Sequence, residues 1–310
     1  MGMCACCNGH TTFRLCALPD NKGAEKDLYL CGTCAAITPG QGEMTQDNTD
    51  LQVRFHDAYW SDSSRDELRQ AGLSMLHTVN FYKDVLGRPD GRIVCEIGAG
   101  RGNLTWALKD KGYRVVSCEP SQRLVDLAHK HYALDGELSC ETADSLLTRL
   151  EAAGKPVQAV FLWHVIEHLE NPIDLIRRCA EIIAPAGAII VQAPMPASPY
   201  IYPEHRFFIN RAWAHKVGEL CGLTTFFCDA SPLDQFLSLA WCQPKADLRL
   251  PGFPPPAPPI DPLSGWLEDL TSGLVRFQET YHSQKDLIDK RDAWIEELRN
   301  EIIALKTNNT

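Results

Sequence analysis

The sequence predicts an α/β fold built on a doubly wound, mostly parallel sheet. Two observations carry this prediction. A strand, a glycine-rich turn and a helix follow one another over residues 91–109, and a second strand at 113–119 ends in an acid. From Ile93 to about Val191, strand-like and helix-like segments then alternate, which is typical of a parallel sheet covered by helices on both faces.

The glycine-rich turn is the first element to justify. Residues 95–103 read Cys-Glu-Ile-Gly-Ala-Gly-Arg-Gly-Asn, and a helix-like segment follows at 104–109. Glycines let the backbone bend tightly and approach a ligand that a Cβ would exclude. The turn therefore predicts a binding site for an adenosine-containing cofactor.

The spacing of acids and glycines narrows the choice of cofactor. Glu119 ends the next strand, 23 residues after Glu96, where an acid can accept hydrogen bonds from ribose hydroxyls. Dinucleotide-binding sites typically carry the motif Gly-x-Gly-x-x-Gly, whereas this chain has Gly98-x-Gly100-x-Gly102. The pattern favours S-adenosylmethionine (SAM) over the nicotinamide cofactor of a dehydrogenase.

Several motifs in order resemble the class I SAM-dependent methyltransferases. After the glycine turn and Glu119-Pro120 come Thr142-Ala143-Asp144, then the strand and loop at 160–169, then a Pro-x-Gly turn at 185–187. The resemblance implies a Rossmann-like methyltransferase fold over roughly residues 68–242. It also implies these cofactor-binding residues: Glu96, Gly98, Ala99, Gly100, Gly102, Asn103, Glu119, Pro120, Ala143, Asp144 and Trp163.

Six of the thirteen cysteines lie within the first 34 residues. Cys4-x-x-Cys7 and Cys31-x-x-Cys34 have the spacing of two zinc knuckles, so residues 1–40 are predicted to form a structural zinc ribbon. Cys6, Cys16 or His10 could replace one of the four ligands. Some sugar methyltransferases carry a similar module, and this resemblance favours a sugar as the methyl acceptor.

Two histidines are candidate general bases at neutral pH. His164 follows the fourth strand, and His205 lies in the loop after the fifth. The alternative is that His164 only packs against the cofactor and His205 only holds its loop. Four aromatic residues near His205 would suit either the face of a sugar or the protein core; they are Tyr200, Tyr202, Phe207 and Phe208.

The segment His164-Val165-Ile166-Glu167-His168 matches a zinc-peptidase string, but that string belongs inside a helix and is rejected here. In quinone-pathway O-methyltransferases the corresponding segment reads Glu-x-x-Glu-His and is associated with a divalent cation. Because His164 replaces the first acid, Mg²⁺ is disfavoured. Glu167 and His168 are expected instead to cap and orient the following helix.

The rest of the chain divides by composition. Residues 41–90 are predicted to hold a linker, starting from a polar stretch at Thr38, and helices that cover the active site. The SAM-binding domain takes residues 91–250 and closes with antiparallel strands near 223–227 and 236–241. A proline-rich spacer at 251–265 precedes a heptad pattern at 266–310, which predicts a coiled coil that makes homo-oligomers or docks to a glycan-assembly complex.

Charge and hydropathy exclude several classes. The net charge of −10 disfavours nucleic acid as a partner, and the longest apolar run is too short to span a membrane. The N-terminus lacks a signal-peptide core, so a cytoplasmic location is expected. The predicted function is SAM-dependent methyl transfer to a nucleotide-linked sugar or glycan end. The alternatives are an O-methyltransferase for a quinone-type phenol and a non-catalytic SAM-binding adaptor.

Overall fold

The computed structural model describes residues 4–9, 11–20, 24–39, 64–195, 205–228 and 236–244. The strands are β1 (Thr11–Pro19), β2 (Glu25–Cys31), β3 (Ile37–Pro39), β4 (Ile93–Ile97), β5 (Arg114–Glu119), β6 (Leu138–Cys140), β7 (Val157–Trp163), β8 (Ile183–Pro194), β9 (Thr224–Cys228) and β10 (Phe236–Cys242). The helices are α1 (Arg65–Phe81), α2 (Lys83–Leu86), α3 (Asn103–Asp110), α4 (Gln122–Tyr132), α5 (Ala143–Ala153), α6 (Pro172–Ile182) and α7 (Arg211–Leu220).

Seven strands form the central sheet, in the order β6-β5-β4-β7-β8-β10-β9. The five strands from β6 to β8 run parallel, and β10 pairs antiparallel with both β8 and β9. The predicted fold class is therefore confirmed, including the closing antiparallel strands. Strand order reverses next to β4, which is where open α/β sheets bind their ligands.

Both faces of the sheet are covered by helices. Neighbouring side chains along one strand therefore pack in two different cores, one on each face. In β4, Cys95 and Ile97 pack in a core with α5, α6 and α7, whereas Val94 packs on the opposite side with α1 and α3. Every residue of β4 is buried. This continuous burial is why the central strands read as apolar runs rather than alternating ones.

The predicted Pro-x-Gly turn lies inside β8 rather than before it. Ile183 pairs with Val157 and Ala188 with Ala159, so five residues of β8 advance against two of β7. Pro185, Ala186 and Gly187 form the resulting irregularity. Gly187 is required there, because a Cβ would lie 2.7 Å from the carbonyl oxygen of Gln158.

Helix α1 begins with a capping box. The Ser64 hydroxyl accepts from Glu67 N, and Ser64 N donates to the Glu67 carboxylate. The helix buries Leu68, Gly72 and Val79. A Cβ at Gly72 would lie 2.9 Å from the Trp106 ring, so glycine permits α1 to pack closely on α3.

The N-terminal segment forms a separate three-stranded antiparallel sheet, β1-β2-β3. The linker was expected to begin at Thr38, but Thr38 and Pro39 belong to β3 and pair with Tyr29 and Leu28. Pairing to β2 overrides their polar, strand-breaking composition. The sheet shares one hydrophobic core with β8 and α7.

Several predictions fall outside the described residues. These are the rest of the linker, the proline-rich spacer at 251–265, the coiled coil at 266–310, and Tyr200, Tyr202, His10 and the Cys16 side chain. Across the part of the chain that the structure describes, no helix is long and apolar enough to cross a membrane.

Candidate active site and metal-binding cysteines

A cavity of about 520 Å³ opens at the carboxyl ends of β4, β5 and β7. Its size is in the range of ordinary small-molecule sites. It is lined by Met75, Glu96, Ile97, Gly98, Ala99, Gly100, Arg101, Asn103, Leu104, Cys118, Glu119, Pro120, Thr142, Ala143, Asp144, Trp163, His164, Val165, His168, Leu169 and Glu170.

The three glycines of the turn all have positive φ but differ in what surrounds them. A Cβ at Gly98 would meet Val165, and one at Gly102 would meet Leu134 and Ala128 below 3 Å. At Gly100, which lines the cavity, nothing lies within 4 Å of the Cβ position. Gly100 therefore leaves cavity space for a ligand, whereas Gly102 serves packing behind the turn and does not itself line the cavity.

Glu119 is held at the floor of the cavity by backbone donors. Gly100 N donates to its Oε2 at 2.9 Å, and Ser121 N donates to its Oε1 at 3.0 Å. The residue is 7 % exposed. An ionised carboxylate has two oxygens that accept hydrogen bonds, which suits it to a diol.

Glu96 lines the cavity near the end of β4. It is 3 % exposed, and the Thr105 hydroxyl donates to its Oε2. Burial raises the pKa of its carboxyl to about 8, although the Thr105 hydrogen bond opposes this. Glu96 ties β4 to α3 from the back wall of the cavity.

Three more of the predicted cofactor-binding residues line the cavity, namely Pro120, Ala143 and Asp144. The Asp144 side chain is 85 % exposed and accepts from Arg178 Nη1 at 2.9 Å, so it is engaged with α6.

Aromatic and polar side chains complete the opposite wall. Trp163 stands edge-on to Tyr82, with ring centroids 6.3 Å apart. The Tyr132 hydroxyl donates to Asn103 Oδ1 at 2.8 Å and also contacts the carbonyl of Leu68. Asn103 is thereby tied to α1, the helix that contributes Met75 to the cavity.

His164 is the predicted base that reaches the cavity. Its backbone has a φ of 57°, a left-handed conformation that few residues other than glycine adopt. Its backbone N–H donates to Gln192 O at 2.8 Å. Its ring packs edge-on against Phe236, with centroids 4.6 Å apart. A strained backbone conformation persists only where the surrounding structure maintains it, and such conformations are common at functional sites.

Glu167 lies directly behind His164. Its Oε1 is 3.5 Å from His164 Nδ1, and its side chain is completely buried. Within the described chain, neither of its oxygens has a hydrogen-bond partner. Burial would raise the pKa of this carboxyl, but His164, His168 and His205 outweigh burial and hold the pKa below its ordinary value.

The expectation that Glu167 caps the next helix is wrong. Helix α6 begins after Asn171 without a side-chain cap, and the Glu167 carboxylate instead faces the histidines. The 3₁₀ turn Ile166–His168 points it inward, away from the helix.

The second predicted base, His205, lies behind the cavity wall. It is 9 % exposed, and its ring centroid is 5.0 Å from that of His168. Donor atoms of Glu167, His168 and His205 lie within 4.8 Å of one another. Two imidazoles and one carboxylate do not fit Mg²⁺, which prefers oxygen ligands.

The four predicted zinc ligands lie together at the N-terminal sheet. Cys4 Sγ is 3.7 Å from Cys34 Sγ, and Cys7 Sγ is 3.6 Å from Cys31 Sγ. All four sulfurs lie within 4.8 Å of one another. Sulfurs at tetrahedral corners around an ion at ~2.3 Å would be about 3.8 Å apart, so the quartet fits such an ion.

Cys6, an alternative ligand, is used elsewhere. Its sulfur accepts a hydrogen bond from Trp213 Nε1 at 3.1 Å. Backbone N–H groups of Cys6, Gly9 and Thr33 donate to three of the quartet's sulfurs, as expected for thiolates in metal knuckles.

Sequence reasoning missed the position of Glu167. It did predict that helices within residues 41–90 cover the active site, and the first helix contributes Met75 to the cavity. The i, i+3 spacing of His164 and Glu167 was visible, but only the fold shows that the acid is buried against three histidines.

Comparison with known proteins bears on this cavity. A family model described as "Methyltransferase domain" matches residues 49–226, more than half of the chain. The chain belongs to this methyltransferase family. The ordered motifs that line the cavity agree with that assignment.

Curated relatives match about a third of the chain. A ubiquinone biosynthesis O-methyltransferase from Caulobacter sp. (strain K31) is 32 % identical over 114 residues, which are 36 % of this chain and 45 % of the relative. One from Leptothrix cholodnii is 24 % identical over 115 residues, 36 % and 48 % respectively. The chain thus spans about half the length of the curated relatives it matches.

Solved structures with a similar fold include an O-methyltransferase family protein from Burkholderia thailandensis, at 15 % identity and a TM-score of 0.49. The alignment covers 66 % of this chain and 65 % of that one. A SAM-dependent methyltransferase from Leishmania major has 15 % identity and a TM-score of 0.48, covering 74 % and 96 %.

Proposed function

We propose that this methyltransferase moves the methyl group of SAM to a hydroxyl of a small, phenol-type acceptor, with His164 as the general base. The observation that carries the proposal is the pair formed by His164, in the cavity wall, and Glu167, buried behind it. A base oriented by a buried acid is a recurrent arrangement in enzymes that remove a proton from a hydroxyl.

The cofactor would take the half of the cavity formed by the glycine turn. Gly98, Ala99 and Gly100 would cradle the methionine part, where the missing Cβ of Gly100 leaves room. Glu119 would accept from the ribose hydroxyls, Pro120 and Ala143 would flank adenine, and Asp144 would lie at the rim. Trp163 and Asn103 would bound the opposite side, with Glu96 and Gly102 supporting the turn from behind.

The acceptor would enter beside His164 and His168. Bound SAM supplies an activated methyl group, and transfer leaves a neutral thioether. His164 takes the proton of the acceptor hydroxyl, and the Glu167 carboxylate stabilises the imidazolium that forms. Holding the acceptor near attack distance and excluding water can contribute ~7–11 kcal/mol, and a positioned base about 10²–10⁴-fold in rate.

A phenol-type acceptor replaces the sugar that the zinc module suggested. The matched relatives are named for ubiquinone biosynthesis and O-methyl transfer. In addition, Phe207 and Phe208 are completely buried, so these two aromatics belong to the core and cannot stack on a sugar.

The remaining features have supporting roles in this proposal. Cys4, Cys7, Cys31 and Cys34 hold a structural Zn²⁺ in the module at residues 1–40, with no position open for catalysis. The heptad pattern at 266–310 joins copies of the chain, and residues 251–265 act as its spacer. Residues 41–90 cover the SAM-binding domain at 91–250.

The test is methyl transfer from radiolabelled SAM by the full chain to a panel of catechols and simple sugars. We expect label in the catechols as an O-methyl ether, and none when Glu119→Ala replaces the wild type. Glu151→Ala, on the exposed surface of α5, is the matched acid control. Label in the sugars alone would overturn the choice of acceptor, and label in neither with intact SAM binding would favour the adaptor.

A further inference from the structure

The loop at residues 205–210 is bonded to the cysteine module through its backbone. Phe208 N donates to Ile37 O at 2.7 Å, and Ile37 N donates to Phe208 O at 3.1 Å. This is a two-way bridge between β3 and the loop. Ile37 lies three residues after the metal-binding Cys34, so the bridge begins close to the sulfur quartet.

Asn210 adds a side-chain link to the same module. Its Nδ2 donates to Ala35 O at 2.7 Å, and its Oδ1 accepts from Trp213 N at 2.8 Å. The residue is completely buried. One amide thus caps α7 and binds the backbone directly next to Cys34.

A third link reaches the first knuckle. Trp213 Nε1 donates to Cys6 Sγ at 3.1 Å, and Cys6 N donates to Cys4 Sγ at 3.4 Å. Trp213 is completely buried and Cys6 nearly so. Both knuckles are therefore connected to the segment formed by the loop and the start of α7.

The other side of the loop contacts Glu167 and its neighbours in the chain. Arg206 N donates to the backbone carbonyl of Glu167 at 2.9 Å, and Arg206 Nη1 pairs with Glu170 Oε1 at 3.2 Å. His205 packs against His168. The loop consequently lies between the module and the turn that positions Glu167 behind His164.

The cofactor half of the cavity is held by a different set of contacts. Gly98 N and Ala99 N donate to Cys118 O, and Gly100 N donates to Glu119. These partners all belong to the turn after β4 and to β5. Within the described residues, the hydrogen bonds that hold the cofactor half are therefore distinct from those that join the loop to the module.

We propose that the ion in the cysteine quartet is a positioning element for the acceptor half of the active site, through the loop at 205–210. Metal binding supplies folding free energy to small cysteine modules, because four thiolates held this close together repel one another without it. Loss of the ion frees Ala35, Ile37 and Cys6, and the loop loses its outer support. The cofactor half keeps its geometry. This proposal rests on the proposed role of the His164–Glu167 pair, but its test does not require the acceptor.

The test measures amide hydrogen exchange of the full chain with and without metal. The wild type is stripped with a chelator under reducing conditions, and metal content is read by elemental analysis. We expect exchange at 205–210 to rise at least tenfold, while exchange at 93–103 and affinity for S-adenosylhomocysteine change less than threefold. Unchanged exchange in the loop, or a parallel loss of S-adenosylhomocysteine binding, would overturn the proposal.

Two variants separate the link from the stability of the module. Asn210→Ser retains an N-cap residue for α7 but cannot reach Ala35, so the loop should exchange faster while one metal per chain remains bound. Cys34→Ser should lose the metal and show the larger effect, with the exposed Cys140→Ser as the control. Wild-type exchange in Asn210→Ser would contradict the proposal. Failure of the proposed function would appear separately, as absent methyl transfer with these exchange results intact.

Discussion

His164 Nδ1 lies 3.5 Å from Glu167 Oε1, and the two residues differ sharply in exposure. The histidine side chain is 36 % exposed and reaches the cavity, whereas the glutamate is completely buried. The hydrogen-bonding and electrostatic influence of His164, His168 and His205 holds the pKa of Glu167 below its ordinary value despite burial. The pair therefore combines an accessible base with an inaccessible counter-charge.

Glu167→Gln should lower kcat by about 10- to 100-fold, a fraction of the ~10²–10⁴ that a positioned base contributes. The amide retains the shape but not the charge that stabilises the imidazolium. Affinity for S-adenosylhomocysteine should not change, and Glu167→Asp should restore part of kcat. If cofactor affinity fell as much as kcat, the role of Glu167 would be structural.

His164→Gly should lower kcat by about 10²–10⁴-fold, and free imidazole should restore part of the activity. Glycine accepts the φ of 57° without strain, so the variant removes the ring and leaves the backbone conformation available. Steady-state kinetics with and without imidazole measure the effect. If imidazole raised the activity of the wild type by the same factor, the result would argue against His164 as the base.

Glu119→Gln should weaken binding of S-adenosylhomocysteine by about 10- to 100-fold. The carboxylate accepts from Gly100 N and Ser121 N, and hydrogen bonds to a charged group contribute ~1.5–3 kcal/mol. Isothermal titration calorimetry gives the affinity. Glu151→Gln, paired with Arg178 on the surface, should bind like the wild type.

Gly100→Ala and Gly102→Ala should separate binding from stability. Both sites have positive φ, so both variants carry ~1–2 kcal/mol of backbone strain. At Gly102 the added Cβ also meets Leu134 and Ala128, which should cost a further ~1–3 kcal/mol and lower Tm. At Gly100 it enters open cavity space, so S-adenosylhomocysteine should bind at least ~10-fold more weakly with a smaller change in Tm. The reverse pattern would place the cofactor elsewhere.

Glu96→Gln should flatten the pH dependence of stability. Burial raises the pKa of Glu96 from its ordinary value of 4.5 to about 8. Between these pH values the folded chain binds more protons than the unfolded chain, so the stabilisation is complete below 4.5 and is lost as pH rises through 8. The loss is of the order of 5 kcal/mol, at ~1.36 kcal/mol per pH unit. Thermal unfolding at pH 6 and pH 9 should show a smaller Tm difference in the variant, and equal differences would contradict the shift.

The sequence alone predicted those features whose physics is local. Gly98, Gly100 and Glu119 could be placed because a tight turn and a strand end are read from consecutive residues. The cysteine quartet could be placed because Cys-x-x-Cys spacing determines the geometry of each knuckle. The parallel sheet followed from strands apolar enough to be buried on both faces, such as β4 and β7.

Only the tertiary structure decided how the acceptor half is built. Glu167 is buried because a loop some forty residues later covers it, and no local pattern signals that contact. For the same reason, the sequence left His205 open between a base and a loop support, and Phe208 between a sugar face and the core. Both residues are buried, and Phe208 pairs with the cysteine module. Segments that are far apart in the sequence together set the burial and the electrostatic environment of this site, and they come into contact only when the chain folds.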